Sequence, residues 1–326
     1  MLIAEHLSKT YETRDWNGFF RRKKTRVEAV RDVSLELHKG QIIGLLGING
    51  AGKTTTIKML STLLLPTTGR IDVDGLDGVK DAMEVKKRIN MIAGGERMIY
   101  WRLTARENLW YYGQLYGVEN RQLESRIQKL LAMVGLSEKQ DIPVERFSKG
   151  MKQRLQIARG LINNPGYIFM DEPTLGLDAA ISRELREHIR TLAGREGKAI
   201  LLTTHYIQEV EELCEYVYVM DKGTVVVQGT PKELALMGVE NKTLCLELHE
   251  NHELLHASLT EACMSIERDC NILWDDKSRE YTITSKSDLS GAVTRVLLEH
   301  KAAFKKFYHR EPSLEDTIIK LSRRDS

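Results

Sequence analysis

The stretch that most restricts the fold is Gly47-Ile48-Asn49-Gly50-Ala51-Gly52-Lys53-Thr54-Thr55. An apolar run, Ile42-Ile43-Gly44-Leu45-Leu46, leads into it, and a helical pattern from Thr54 to Leu64 leads out. Strand, glycine-rich turn and helix are the setting of a phosphate-binding loop. The glycines let backbone N–H groups curl around phosphate oxygens with no Cβ in the way. The helix start adds unpaired donors and the positive end of a dipole. In that setting Lys53 reaches the β- and γ-phosphates and the Thr54 hydroxyl ligates Mg2+. Chance places such a string in roughly one chain in a hundred of this length, with glycine near 7 % of residues. The loop alone says nucleoside triphosphate; the rest of the chain must say which machine.

With 326 residues the chain is long enough for two domains and a well-buried core. Its net charge of +2, with both signs frequent, gives no global basic field, and so no argument for nucleic acid. The four cysteines, Cys214, Cys245, Cys263 and Cys270, contain no C-x-x-C pair. They read as thiols in a reducing compartment, with no disulfide framework or zinc site. The start, Met1-Leu2-Ile3-Ala4-Glu5-His6, is no signal peptide. No window approaches the ~18 uncharged apolar residues of a bilayer span. Another polypeptide is therefore expected to supply any membrane part.

Residues 2 to 7 and 32 to 38 read as half-buried strands, with Tyr11 expected to end the first. A basic insert, residues 12–26, follows with Arg14, Trp16, Phe19, Phe20, Arg21, Arg22, Lys23, Lys24 and Arg26. It reads as a long solvated hairpin or loop. The sharper reading is a basic–aromatic patch touching anionic headgroups or a membrane partner. Further on, strands are expected at about 70–75 and 89–93, with a short polar helix at 81–88.

From Thr104 the pattern turns helical. Thr104 with Glu107 has capping-box spacing and opens a helix through Leu115; a second runs from about Arg121 to Met133. A third starts after Ser148-Lys149-Gly150-Met151-Lys152-Gln153-Arg154, where Ser148 and the Lys149 and Gly150 amides form a second anion-binding end. The run Tyr167-Ile168-Phe169-Met170 lacks alternation, so it reads as a strand buried on both faces. It delivers Asp171 and Glu172 to the C-terminal edge, where open α/β sheets place ligands. A helix from about Ala180 to Ala193 and a strand at 199–203 deliver Thr204 and His205 to the same edge. A helix to Cys214 and a hairpin turning at Asp221-Lys222-Gly223 follow.

In this order the motifs resemble those of the ATPase subunits of ABC transporters. GINGAGKT resembles the Walker A loop, FSKGMKQR the signature, and YIFMDEPT the Walker B strand. Gly176-Leu177-Asp178 resembles the D-loop and Thr203-Thr204-His205 the switch histidine, while Tyr11 stands where the family stacks an aromatic on adenine. The resemblance covers about residues 1 to 235. It implies a P-loop α/β fold with an N-terminal antiparallel β-subdomain and a helical subdomain at about 104–163, inside an ATPase domain of residues 1–238. It implies ATP and Mg2+ as ligands, with Lys53, Glu172 and His205 catalytic and Thr54 and Asp171 on the metal. The nucleotide set is Tyr11, Gly47, Asn49, Gly50, Ala51, Gly52, Lys53, Thr54 and Thr55, with Ser148, Gly150, Gln153 and Asp178 closing over ATP held by a second copy. Partners are therefore a twin subunit and a separate permease, with peripheral contact at the cytoplasmic face of the membrane.

The chain departs from the family where a Gln usually follows the strand before the helical subdomain. Here it reads Ala93-Gly94-Gly95-Glu96-Arg97: Glu96 is the candidate metal ligand, or Gly95 leaves the place empty. Ile48 and Ala179 each replace a common Pro. Residues 239–326 read βαββαβ, a small ferredoxin-like unit of accessory, regulatory or dimerising role. Its ending, Glu311 to Asp316, resembles exporter ATPases of the daunorubicin-resistance type, although Ser313 with Asp316 also has N-cap spacing. Export gains by analogy only; the alternatives are an importer ATPase or a soluble ABC ATPase with no transport role.

Overall fold

The first strand buries Leu2, Ala4 and Leu7 almost completely, and an irregularity between Ala4 and Leu7, where His6 takes φ +52°, turns Leu7 back to the inner face. A computed structural model describes residues 1–17, 21–93, 98–237, 242–249, 253–310, 313–315 and 317–318. The chain divides into two units, Met1–Pro231 and Lys232–Ser326. In order, the first contains β1 (Leu2–Asn17), β2 (Arg21–Leu37), β3 (Ile42–Leu46), α1 (Lys53–Leu60), β4 (Thr68–Val73), β5 (Leu76–Asp77), α2 (Ala82–Arg88) and β6 (Ile89–Ala93). Helices α3 (Ala105–Leu115), α4 (Asn120–Met133) and α5 (Lys149–Gly160) follow. Then come β7 (Tyr167–Asp171), α6 (Ala179–Gly194), β8 (Ala199–Thr203), α7 (Ile207–Leu213), β9 (Tyr216–Asp221) and β10 (Thr224–Gly229).

The central sheet has the order β10-β9-β3-β8-β7-β6, parallel except for the edge strand β10. Its middle strands β3 and β8 are buried along their whole length, as an unalternating apolar run requires. Each fully buried Leu or Ile there contributes about 1.5–3 kcal/mol. A second, antiparallel sheet, β2-β1-β4-β5, shares one apolar core with it, in which Leu2, Leu37 and Ile71 join Ile43, Phe169 and Leu201.

Two local expectations are corrected. Tyr11 does not end β1: it pairs with Val27 in mid-strand, and pairing continues through the insert to Asn17 opposite Arg21. Of the two shapes read for the insert, hairpin or loop, its described residues take the hairpin. Helix α1 stops at Leu60, short of Leu64. There Thr62 takes φ +56° and the Leu63 and Leu64 amides both turn back to the Lys58 carbonyl. By contrast the Thr104–Glu107 capping box forms with both its hydrogen bonds, and α3 ends at Leu115 as read.

Helix α8 (Pro231–Met237) precedes β11 (Lys242–Leu248), α9 (Glu253–Ile266), β12 (Asn271–Asp275), β13 (Glu280–Ser285), α10 (Ser290–Glu299) and β14 (Phe304–Arg310). The strand order β12-β13-β11-β14, antiparallel throughout, is the ferredoxin-like arrangement that the βαββαβ pattern implies. This unit has its own core of Leu244, Leu246, Leu255, Leu259, Ile283 and Val293. All four cysteines are buried and unpaired. No helix among the described residues is long and apolar enough to cross a membrane. Glu96 lies outside the described residues, as does Asp316 of the C-terminal cap.

Candidate functional site

Strand β3 ends in the phosphate-loop sequence, and the loop's shape depends on two close approaches. A Cβ on Gly47 would fall 2.3 Å from the Met220 carbonyl oxygen, and one on Gly52 would fall 2.5 Å from that of Ala29. Both residues also have positive φ, +151° and +103°, which side chains resist. Gly52 is the N-cap of α1, so the helix opens directly under the loop. Asn49 and Gly50 are exposed, Ala51 is buried beneath them, and Thr55 is half-buried.

Lys53 is only 7 % exposed, and its ammonium donates to the carbonyls of Gly47 (2.6 Å) and Ile48 (3.1 Å). Two of its three protons are therefore held by the loop, and the third remains for an anion. Burial lowers its pKa, while Glu172 and Asp171 nearby oppose that shift. A partly desolvated cation attracts phosphate more strongly than one in water.

Asp171 closes β7 and faces this loop. The Thr54 hydroxyl lies 3.2 and 3.4 Å from its two carboxylate oxygens. The buried Thr203 hydroxyl donates to Oδ1 at 2.7 Å. A hydroxyl and a carboxylate side by side are hard oxygen donors, the kind Mg2+ takes beside phosphate oxygens and water, so the residues fit that ion.

Glu172 follows in left-handed backbone, φ +51°. For a residue with a side chain that costs on the order of 1–3 kcal/mol. Its N–H is clamped by the Thr203 carbonyl (3.0 Å) and hydroxyl (3.1 Å). The twist sets the carboxylate 3.3 Å from His205 Nδ1. The His205 turn is pinned in its own right: the Thr204 hydroxyl donates to buried Glu209 at 2.7 Å and accepts from the Tyr206 amide. Thr203 and Glu209 are the residues that motif reading passes over. Their signal is a threonine pair at a strand end with an acid five residues beyond the second.

A second constellation forms around the start of α5. Ser148 is its N-cap and accepts from the Met151 amide at 3.2 Å. Gly150 is pressed so close to α6 that a Cβ would fall 2.4 Å from Ile181 Cδ1. Asp178 caps α6 by accepting from the Ile181 amide at 2.9 Å, and the Lys149 ammonium lies against Gly176. Signature and D-loop residues thus form one packed edge. Gln153 is 4 % exposed and lines a water-sized hollow with Leu177 and Ile181. Tyr11 is 37 % exposed, with the Lys9 ammonium 5.6 Å from its ring centre.

A phosphate loop, a hydroxyl–carboxylate pair and a strained glutamate on one sheet edge define a P-loop nucleoside triphosphatase. Comparison with known proteins narrows the class. The ABC transporter family model matches residues 30–175. The ABC transporter ATP-binding protein NatA of Bacillus subtilis is 46 % identical over 220 residues, 68 % of this chain and 89 % of that protein. The daunorubicin resistance ATP-binding protein DrrA3 of Streptomyces coeruleorubidus is 32 % identical over 296 residues, 90 % of this chain and 91 % of its own. A solved ATP-binding subunit of an ABC transporter superposes with TM-score 0.61 at 28 % identity, covering 72 % of this chain and 92 % of that one. The chain belongs to the ABC transporter ATP-binding proteins and is an ATPase.

Proposed function

We propose that this protein is the ATP-hydrolysing subunit of an exporter, driving a separate membrane permease from the cytoplasmic face through nucleotide-dependent head-to-tail pairing. The observation that carries the pairing is the packed edge of Ser148, Gly150 and Asp178. It offers a second helix start suited to phosphate, beyond the one that α1 already supplies. Two anion-binding ends exceed what one triphosphate on one copy needs, and a twin copy resolves the excess.

In this reading the loop amides and Lys53 hold the phosphates. Glu172 polarises the attacking water, and His205 orients Glu172 and contacts the γ-phosphate. Thr54 and Asp171 would hold Mg2+, which spreads the phosphate charge when bound. Thr203 holds the Asp171 carboxylate and the Glu172 backbone amide in place. Phosphoryl transfer to water asks for positioning and charge neutralisation more than covalent chemistry, and these residues supply both. Residues 1–238 form the ATPase domain and 239–326 an accessory domain. Similarity to DrrA3 over 90 % of the chain, accessory residues included, supports the exporter assignment, as does similarity to a Nod factor export ATP-binding protein of Rhizobium meliloti, 34 % identical over 300 residues.

A pull-down from detergent-solubilised membranes that identifies a bound membrane protein, followed by co-expression of the pair, tests this. The two copurify, and the membrane protein raises the ATPase rate. An ATPase that stays active alone and ignores that protein would contradict the assignment to a transporter.

A further inference from the structure

One part of the first unit contributes none of the catalytic or metal-holding residues named above: the outer half of the β1–β2 hairpin, with Tyr11 at its base. Strand β4 pairs with β1 only as far as Ser8 opposite Thr68. From Tyr11 opposite Val27 to Asn17 opposite Arg21, β1 and β2 pair with each other, as a two-stranded ribbon. At ~3.3 Å per residue this ribbon is about 20 Å long.

Residues 11–27 hold six cations and two acids, a net +4 in a chain whose total is +2, so the remainder carries −2. The register accounts for both acids: Glu12 stands opposite Arg26, whose Nε donates to it at 3.0 Å, and Asp15 stands opposite Lys23. It sets no acid opposite the other four cations. Arg14 faces Lys24, Arg21 faces Asn17 and Arg22 faces Trp16. Like charges directly opposite each other destabilise a strand pair, and a lone two-stranded ribbon is marginal in water. The sequence spends hairpin stability on positive charge, and a dense anionic surface recovers it.

We infer that this ribbon is a membrane-surface arm that binds anionic lipid headgroups. The inference rests on the reading of the protein as a transporter subunit, which brings it to a bilayer. Aromatic content favours lipid over other polyanions: Trp16 lies within the ribbon, a residue type that settles at the headgroup level. Basic residues close to an anionic leaflet each strengthen binding about fivefold. The four cations with no acid opposite therefore dominate the contact.

The test is cosedimentation of the full-length protein with vesicles of phosphatidylcholine alone or mixed with phosphatidylglycerol, with duplex DNA as a competing polyanion and ATPase activity measured on the same samples. The native protein sediments with the mixed vesicles, progressively less as salt rises, and not with phosphatidylcholine alone. The combined variant Arg14→Gln, Arg21→Gln, Arg22→Gln, Lys24→Gln loses at least tenfold in partitioning and keeps its ATPase rate. Equal partitioning of variant and native protein overturns the arm, as does native binding that ignores lipid charge. Tighter binding to duplex DNA than to the mixed vesicles overturns the lipid assignment. Lost sedimentation with ATPase intact bears on the arm alone; a native protein without ATPase activity would instead undermine the proposed function.

Discussion

The Glu172 carboxylate stands 3.3 Å from Nδ1 of His205, across the ends of the neighbouring parallel strands β7 and β8. Strand pairing alone does not create that contact. Register sets Asp171 opposite Thr203, and the left-handed turn at Glu172 then swings the next carboxylate to the histidine. The backbone strain is local, and Thr203 holds it with two hydrogen bonds to one amide.

If Glu172 polarises water, Glu172→Gln keeps the shape of the site and loses the base. ATP binding persists, and turnover falls at least about a hundredfold, the lower end for general-base loss. Phosphate release at the parental rate would remove Glu172 from that role.

His205→Ala is expected to slow turnover by roughly ten- to a hundredfold. Because part of its role is to orient Glu172, the His205→Ala, Glu172→Gln double variant is expected to lose clearly less than the product of the two single losses. Multiplicative losses in single-turnover assays would mean that the two act independently.

Gly47 has no room for a methyl group, because the obstacle is the Met220 carbonyl and not a flexible side chain. Gly47→Ala therefore shifts the loop. It costs about 2 kcal/mol or more of stability and removes ATP binding, read from thermal melts with and without nucleotide. Wild-type stabilisation by ATP in this variant would contradict the geometry.

Arg159 is a fully buried cation in α5. Its guanidinium donates to the Met91 carbonyl on β6 and lies 5.3 Å from the Tyr112 ring centre. Burial lowers its pKa, with Tyr116 and Tyr112 opposing that shift. Arg159→Ala leaves a cavity and an orphaned carbonyl, for a loss of about 3 kcal/mol or more in urea denaturation. Arg159→Met, which restores volume, recovers part of it. A neutral Arg159→Ala would show that α5 does not depend on this tie.

Much of the site was legible because phosphate binding needs a strand, glycines, a lysine and a helix start in immediate succession. The buried strand ending in Asp171 and Glu172 was legible for a similar reason, since a run of four apolar residues with no alternation fits a parallel sheet. What sequence hides is contact between distant segments. For Arg14 to Arg26 the charges left hairpin and loop both open, and only the cross-strand register decides for the hairpin. The role of Thr203 needs β8 beside β7, and the stop of α1 at Leu60 needs a left-handed Thr62 that helix propensity does not signal.

The central claim is that one copy grips a triphosphate from one side and requires Ser148 of another to enclose it. Light scattering after size-exclusion chromatography of the Glu172→Gln protein tests this most directly. With ATP and Mg2+ the mass doubles from that of the 37.3 kDa chain, and adding Ser148→Arg returns it to the single-chain value while ATP still binds. An ATP-loaded protein that stays at single-chain mass, or a dimer indifferent to arginine at position 148, would contradict it.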